Sequence, residues 1–485
     1  MKKNIDFIEL KTKVLSTNKF TIDTFLYTFG DFLNKGIIFL TIPIFSRILS
    51  VEDYGVLSIY QLFYSFLIVP LTLNFPGAVT QRLFEKGENE DIFIKVNLKF
   101  ITVFSFGFSL VLIFSETIFN YSSFFGLDSK YYYICIADVF FMGFIGFYQS
   151  TLLGKRFSGK YVLNSLMTSG GSVFISIILM LTIFKGNELL GQFLSRLIIS
   201  VIFCFIVLFR FKDLFKVSIT KNKELILYSF YFGVPLIPHL ISNLVLRQFD
   251  RILIGTYISI SATGIYSLAS NLSFVLPVLI GAVNKSWVPV FQDYLRTKSY
   301  MLIEKRVKLL SFVFLIVCIL LILHADLIFR IVAPVEYFEG YKIFQLLIMG
   351  SYFLFAYNCY VNYAYYTRKT YSIALITIVV GLVSLGLNLL LIPNYLMIGA
   401  AYSFIIGSFI LFLINYLNVR FFLKIKCISL WIFIKDAIIL FIILINCIIF
   451  GDFFFGNNLG MLIRVVFTII GVILLYRNRL LLINN

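Results

Sequence analysis

The sequence predicts an all-α integral membrane protein of about fourteen transmembrane helices: two six-helix bundles, related as parallel repeats around a central cavity, plus two C-terminal helices. Three observations carry this. The 485 residues are 60% hydrophobic and only 13% charged, whereas soluble domains are ~25% charged. Apolar runs of about 20 residues, enough to cross a ~30 Å hydrocarbon core, recur along the whole length. Sequence blocks of the first half return in the second at a nearly constant spacing.

In chain order the runs lie at 21–47, 55–81, 94–118, 131–153, 161–184 and 189–210, then 225–258, 262–292, 308–330, 341–366, 371–393 and 397–419, and finally 429–450 and 460–476. They divide the chain into an N-tail (1–20), an N-lobe (21–210), a basic linker (211–224), a C-lobe (225–423), two extra spans (429–476) and a C-tail (477–485). No connection is long enough for a soluble domain. The loops on one side carry 28 Lys and Arg and those on the other carry five: Arg47, Lys130, Lys185, Arg330 and Lys342. The positive-inside rule makes the rich side cytoplasmic, so tails, linker and both termini are expected there. The first apolar run starts near Phe20, is too long for a signal h-region and contains Asp31 and Lys35, so no cleaved signal peptide is expected.

The net charge of +17 would suggest nucleic acid in a soluble protein. In a multi-span protein it follows from basic cytoplasmic loops, and no nucleic-acid partner is expected. Six cysteines are scattered without a CxxC pair, and there are two histidines. These read as packing residues, with no disulfide framework, metal site or cofactor expected.

The repeat is carried by several matches. Ser50, Gly55 and Ser58 match Ser259, Gly264 and Ser267 at an offset of 209, as Asn34 matches Asn243. Gly77 matches Gly281 at 204; Gly191 and Ser195 match Gly399 and Ser403 at 208. Lys155-Arg156 precedes the fifth span much as Arg368-Lys369 precedes the eleventh. Six spans separate the copies, an even number, so both halves run the same way, related by an axis along the membrane normal.

Charges at bilayer depth are expensive and are kept mainly where they face protein or water. The seventh span carries Arg247, Asp250 and Arg251, and the same helical face takes in Asn243 and His239. Pro235 and Pro238 are placed to hinge its inner third. The first span places Thr24, Thr28, Asp31 and Lys35 on one face, with Arg47 near its outer end, and the eighth carries Asn284 and Lys285. On one reading, Asp31, Lys35, Arg247, Asp250, Arg251 and Lys285 line a wet cavity between the halves. On the other, Asp31 pairs with Lys35, and Asp250 with Arg247 or Arg251. Even fully paired, four cations against two anions leave positive charge in excess, which suits an anionic cargo. Asp138 and Arg196 either line the cavity or bridge helices, while Lys435, Asp436, Arg464, His324 and Asp326 lie near span ends and read as interfacial.

The segment GVPLIPHLISNLVLRQFDRILIGTYISISATGIYSLASNL at 233–272, with P-x-x-P, then D-R-x-x-I-G, then G-x-Y-S, resembles the centre of Wzx-type polysaccharide and O-antigen flippases. IPIFSRILSVEDYGVLSIYQ at 42–61 resembles the junction of the first two helices in that family. The likeness extends over about 20–430, and the two extra spans resemble the lipid II flippase arrangement. That family belongs to an exporter superfamily which includes the MATE multidrug antiporters.

The resemblance implies two V-shaped lobes in a bacterial inner membrane. It implies a cargo of oligosaccharide on undecaprenyl diphosphate, flipped by alternating access for surface polysaccharide synthesis. Membrane lipid, and the polymerase and chain-length proteins of the same pathway, are the implied partners. Arg247, Arg251, Lys285, Lys35, Arg47, Asn243 and His239 would then bind substrate. The energy would come from the membrane potential or from H+ or Na+ coupled at Asp31 or Asp250. A MATE-type drug/cation antiporter would need an acidic cavity. A membrane enzyme of polysaccharide assembly would need a large outer loop or a clustered His/Asp/Glu site. The sequence shows neither, so no enzyme activity is expected.

Overall fold

The computed structural model describes residues 2–85, 89–367, 369–451, 460, 462–471 and 473; among these it is helical, with no strand. The first half contains α1 (Lys2–Ile48), α2 (Val51–Thr72), α3 (Phe75–Phe84), α4 (Glu90–Phe119), the short α5 (Tyr121–Phe124), α6 (Ser129–Gly154), α7 (Ser158–Leu181) and α8 (Glu188–Arg210). The second contains α9 (Lys223–Gly233), α10 (Ile237–Tyr257), α11 (Ile260–Ser273), α12 (Val275–Arg296), α13 (Tyr300–Leu323), α14 (Ala325–Val332), α15 (Gly340–Tyr366), α16 (Thr370–Leu417) and α17 (Leu430–Ile449). A last apolar helix, α18, is described over Leu462–Gly471.

Among the described residues, twelve stretches are long and apolar enough to cross a membrane, against about fourteen expected. The difference lies at the C-terminal end. Tyr371–Phe422 runs for 52 residues, more than twice the ~20 that one crossing needs. It is a hairpin: Leu396 leaves the helical region (φ 55°, ψ −142°) three residues after Pro393. The arms then pack on each other, with Ser403 Oγ donating to the Ser384 carbonyl at 3.2 Å and Leu411 against Ile376 and Val380. These arms are the two spans read at 371–393 and 397–419. The fourteenth run, 460–476, lies only partly within the described residues.

Two spans read as continuous are broken, and at corresponding places. The 55–81 run splits into α2 and α3 at Leu73 and Asn74, both with positive φ. The 262–292 run splits into α11 and α12 at Phe274. A proline (Pro76, Pro277) stands in the first turn after each break. There its missing N–H removes no helical hydrogen bond.

Packing divides the chain into two compact units: residues up to Thr41 with Tyr60–Ile241, and Ile42–Ile59 with Ser242 onward. In the first, α3, α4, α6, α8 and α9 enclose an apolar core around Phe75, Phe93, Phe147 and Ile226. There α1 lies on α7: Gly30 abuts Val162, Asn34 Nδ2 donates to Ser165 Oγ at 2.9 Å, and Ser169 Oγ donates to Asn34 Oδ1 at 2.5 Å. In the second unit α10 meets α16 in the same manner, with Gly381 against Ser242. Phe355, Tyr360 and Phe412 each pack edge to face on Phe433 between α15, α16 and α17.

The repeat has a physical signature in the second unit. A Cβ on Gly55 would run into the Ile260 carbonyl, and one on Gly264 would run into the Val51 carbonyl. Positions 51 and 260 are 209 apart, as are 55 and 264. Residue i of one copy thus meets j of the other while j meets i, the reciprocity of a two-fold relation. Only glycine permits that approach, which is why the glycine recurs in both halves.

Candidate functional site

The seventh apolar run, read as one helix at 225–258, is three pieces: α9, a 3-10 turn at Val234–Leu236, and α10. Pro235 lies in the turn and Pro238 in the first turn of α10, so neither removes an interior helical bond. Along α10 the polar stripe is not uniformly presented. His239 and Asn243 are half-buried, Arg247 is exposed, and Asp250 and Arg251 are buried.

Asp250 and Arg251, adjacent in sequence, look to different partners. Asp250 accepts from the Tyr266 hydroxyl and, at 2.9 Å, from the Arg251 amide. Arg251 Nη2 donates to Asn271 Oδ1 at 3.0 Å and approaches Ser270 Oγ at 3.5 Å. Asn271 Nδ2 in turn donates to the Tyr54 hydroxyl at 3.1 Å. This network ties α10 and α11 to the start of α2, beside the reciprocal glycines. Charge-assisted bonds of this kind fix geometry. Tyr54, Tyr266 and Asn271 were not anticipated from sequence. Tyr266 is the tyrosine of G-x-Y-S, so the motif itself was the available signal.

Arg247, one turn before Arg251, points elsewhere and lies within electrostatic range of the Tyr357 hydroxyl on α15. Lys285 is exposed on α12. Its neighbour Asn284 anchors that helix, accepting from Asn362 Nδ2 at 2.8 Å. Arg47 Nη2 donates to the Ile331 carbonyl at 2.7 Å and Ser46 Oγ to the Val332 carbonyl at 3.2 Å. Together they cap the C-terminal end of α14, where a cation is favourable.

In the first unit, Lys35 is exposed and Asp31 half-buried, Asp31 acting electrostatically on Tyr161 of α7. Asp138 and Arg196 bridge helices: Arg196 Nε meets Asp138 Oδ2 at 3.1 Å between α6 and α8. The guanidinium lies 4.5 Å from the Tyr64 ring centroid and 5.7 Å from that of Tyr60. The residues read as interfacial divide. Arg464 Nη1 meets Asp326 Oδ1 at 2.6 Å, fastening α18 to α14. Asp436 is buried and accepts from Ser311 at 2.6 Å and Tyr352 at 3.2 Å, tying α17 to α13 and α15; Lys435 is exposed.

Of the expected cargo-binding cations, then, Lys35 and Lys285 are exposed residues within stretches apolar enough to cross a membrane, Arg247 is exposed on α10 just beyond such a stretch, Arg251 is built into the fold and Arg47 caps a helix. A profile of the family described as "Polysaccharide biosynthesis protein" matches residues 20–295. The chain belongs to the polysaccharide biosynthesis protein family. Both segments that resemble the Wzx-type flippases, 42–61 and 233–272, lie inside the matched region.

Two relatives in Haemophilus influenzae match over most of their length. "Lsg locus putative protein 1" is 26% identical over 361 residues, 72% of this chain and 85% of the relative. An "Uncharacterized membrane protein" is 24% identical over 380 residues, 75% and 88% of the two chains. Among solved structures, an inward closed conformation of the lipid II flippase MurJ superposes with TM-score 0.69 at 16% identity, covering 94% of this chain and 99% of that one. An inward-facing MATE family multidrug transporter gives 0.60 at 13% identity, covering 81% and 96%. This family member is therefore a multi-pass membrane protein with the fold shared by those transporters.

Proposed function

We propose that this protein flips an undecaprenyl-diphosphate-linked oligosaccharide from the inner to the outer leaflet of a bacterial cytoplasmic membrane, by alternating access, for surface polysaccharide synthesis. The observation that carries the reading is the exposure of Lys35 and Lys285 within apolar stretches long enough to cross a membrane, and of Arg247 on α10 beside such a stretch, in a polysaccharide-family chain. A charge at mid-bilayer costs from ~3 to more than 10 kcal/mol, so exposed cations at that depth call for water and an anionic cargo. A diphosphate fits, because fixed cations replace its lost hydration with charge-assisted hydrogen bonds. The fold is shared with a multidrug transporter and does not choose the cargo. The charge favours an anionic one: the buried acids Asp138 and Asp250 are engaged by Arg196 and Tyr266, and the exposed Lys35, Arg247 and Lys285 outnumber the half-buried Asp31.

In this reading the protein is a transporter with no catalytic group, and both termini are cytoplasmic. Outward movement of a dianion is downhill in an inside-negative membrane, by ~2.3 kcal/mol per charge per 100 mV. Asp250 is buried behind Tyr266 while Asp31 is half-exposed, so a coupling proton or sodium ion would use Asp31. The test is flipping of a fluorescent lipid-linked oligosaccharide in vesicles holding a potential and no ion gradient. The parent should flip, and the variant carrying Lys35→Gln, Arg247→Gln and Lys285→Gln should lose the activity. Equal flipping by the two would overturn the reading. A parent inactive until a proton or sodium gradient is added would replace the potential with ion coupling.

A further inference from the structure

The connection between α16 and α17 forms a site outside the polar stripes. After Leu417 the chain makes one π-helical turn, Asn418–Phe422, a feature that often marks functional positions. It then continues without regular secondary structure, with Lys424 at positive φ (54°), into α17. These segments form a cleft of about 500 Å³ lined by Tyr416, Arg420, Lys426, Ser429, Trp431 and Ile434 among others, with no acidic residue among the described residues of its wall.

Both cations of the cleft are exposed and rest on neutral groups. The Arg420 guanidinium donates to the Tyr416 hydroxyl. Lys426 Nζ lies 5.6 Å from the centroid of the Tyr300 ring. No side chain caps the first turn of α17, so its amides add to the positive field.

The wall of the cleft continues into an apolar stripe. Trp431 is 65% exposed, and Ile438, Phe441 and Ile442 are exposed on the same face of α17. Lys435 is exposed one turn beyond Trp431, and its stem is long enough for the ammonium to snorkel back to headgroup level. An indole at the mouth, cations above and an aliphatic stripe below match an amphiphile with an anionic head.

We propose that this cleft seats the phosphodiester headgroup of an anionic phospholipid, with an acyl chain along the α17 stripe, in the leaflet that the excess of Lys and Arg assigns to the cytoplasm. Free phosphate shares the headgroup's chemistry but would leave the stripe unused. The site is independent of the proposed cargo.

The chain has two tryptophans, and Trp287 is buried against Phe291. In a Trp287→Phe background, Trp431 is therefore the sole tryptophan, and its emission is read under tryptophan-selective excitation. The full chain is placed in nanodiscs containing acyl-brominated phosphatidylglycerol or acyl-brominated phosphatidylcholine. Quenching should reach half its maximum at roughly tenfold lower mole fraction of the glycerol lipid. Adding Arg420→Gln and Lys426→Gln should abolish the preference. Both side chains are exposed, so the exchange leaves the core intact. Equal quenching by the two lipids before that exchange overturns the proposal, as does a preference that survives it. Loss of the preference in millimolar inorganic phosphate reassigns the seat to the free anion.

Discussion

Arg247 and Arg251 stand one turn apart on α10, and the fold treats them differently. Arg251 is 7% exposed and bound to Asn271 and Ser270, whereas Arg247 is exposed. Arg196, in the first unit, follows Arg251: its charge is answered by a fully buried carboxylate and two tyrosine rings. Sequence spacing places a guanidinium on a face. Whether it is available to a cargo depends on acceptors brought by other helices. Arg251, Arg196 and Arg47, held by acceptors from other helices, are parts of the frame, and Arg247 is the candidate for transport, so substitutions should separate the two groups.

The largest effect on stability is expected at Arg196. Arg196→Ala leaves Asp138 as a buried charge without its partner, a change that costs about 3–5 kcal/mol. It should appear as a much lower unfolding temperature of the detergent-purified protein. Asp138→Asn added to Arg196→Gln should recover part of the loss, because no uncompensated charge is left. A single Arg196→Ala variant as stable as the parent would break the division at its strongest point.

Arg251→Ala comes next. It removes charge-assisted bonds to Asn271 and Ser270 and leaves Asp250 buried beside no cation, for an expected loss of about 2–3 kcal/mol. Arg251→Lys should recover a fraction, since an ammonium lacks the planar fork that addresses two acceptors. Export would fall with stability in both variants. An Arg251→Ala protein of parental stability that fails only in transport would move this residue into the exposed group.

Much of this division lies beyond what one chain reveals. Span positions, the loop-charge asymmetry and the parallel repeat are legible because they depend on local composition and spacing. The breaks after α2 and α11 are harder to see, since two residues at the first and one at the second leave the apolar run unbroken. The hairpin at Leu396 was legible from Pro393 and from doubled length. The destinations of Arg47, Asp138, Arg196 and Asp436 were not, because each partner is brought up from another part of the chain. Asp436 illustrates this: one turn and a half into an apolar helix it reads as interfacial, and it is buried by Ser311 and Tyr352, 125 and 84 residues away.

Arg47 tests the middle of the range. Its bond to the Ile331 carbonyl is exposed, and capping a helix C-terminus with a cation contributes about 0.3–1 kcal/mol. Arg47→Ala should lower the unfolding temperature slightly and leave most of the export. A large transport defect at unchanged stability would return Arg47 to the cargo-binding set.

The smallest change in stability and the sharpest in function should coincide at Arg247. It is exposed, and substitutions at such positions usually shift stability by no more than about 0.5 kcal/mol. Arg247→Ala should therefore unfold like the parent while surface polysaccharide falls severely, and Arg247→Lys should restore part of the export by keeping the charge without the fork. The two measurements must be made on the same preparations, since only an intact protein that fails to export distinguishes a cargo contact from a frame residue. If Arg247→Ala exports normally, exposure at bilayer depth does not mark the anion path, and Lys35 and Lys285 lose their support with it. If it unfolds early, Arg247 carries a structural contact as Arg251 does, and the contrast along α10 disappears.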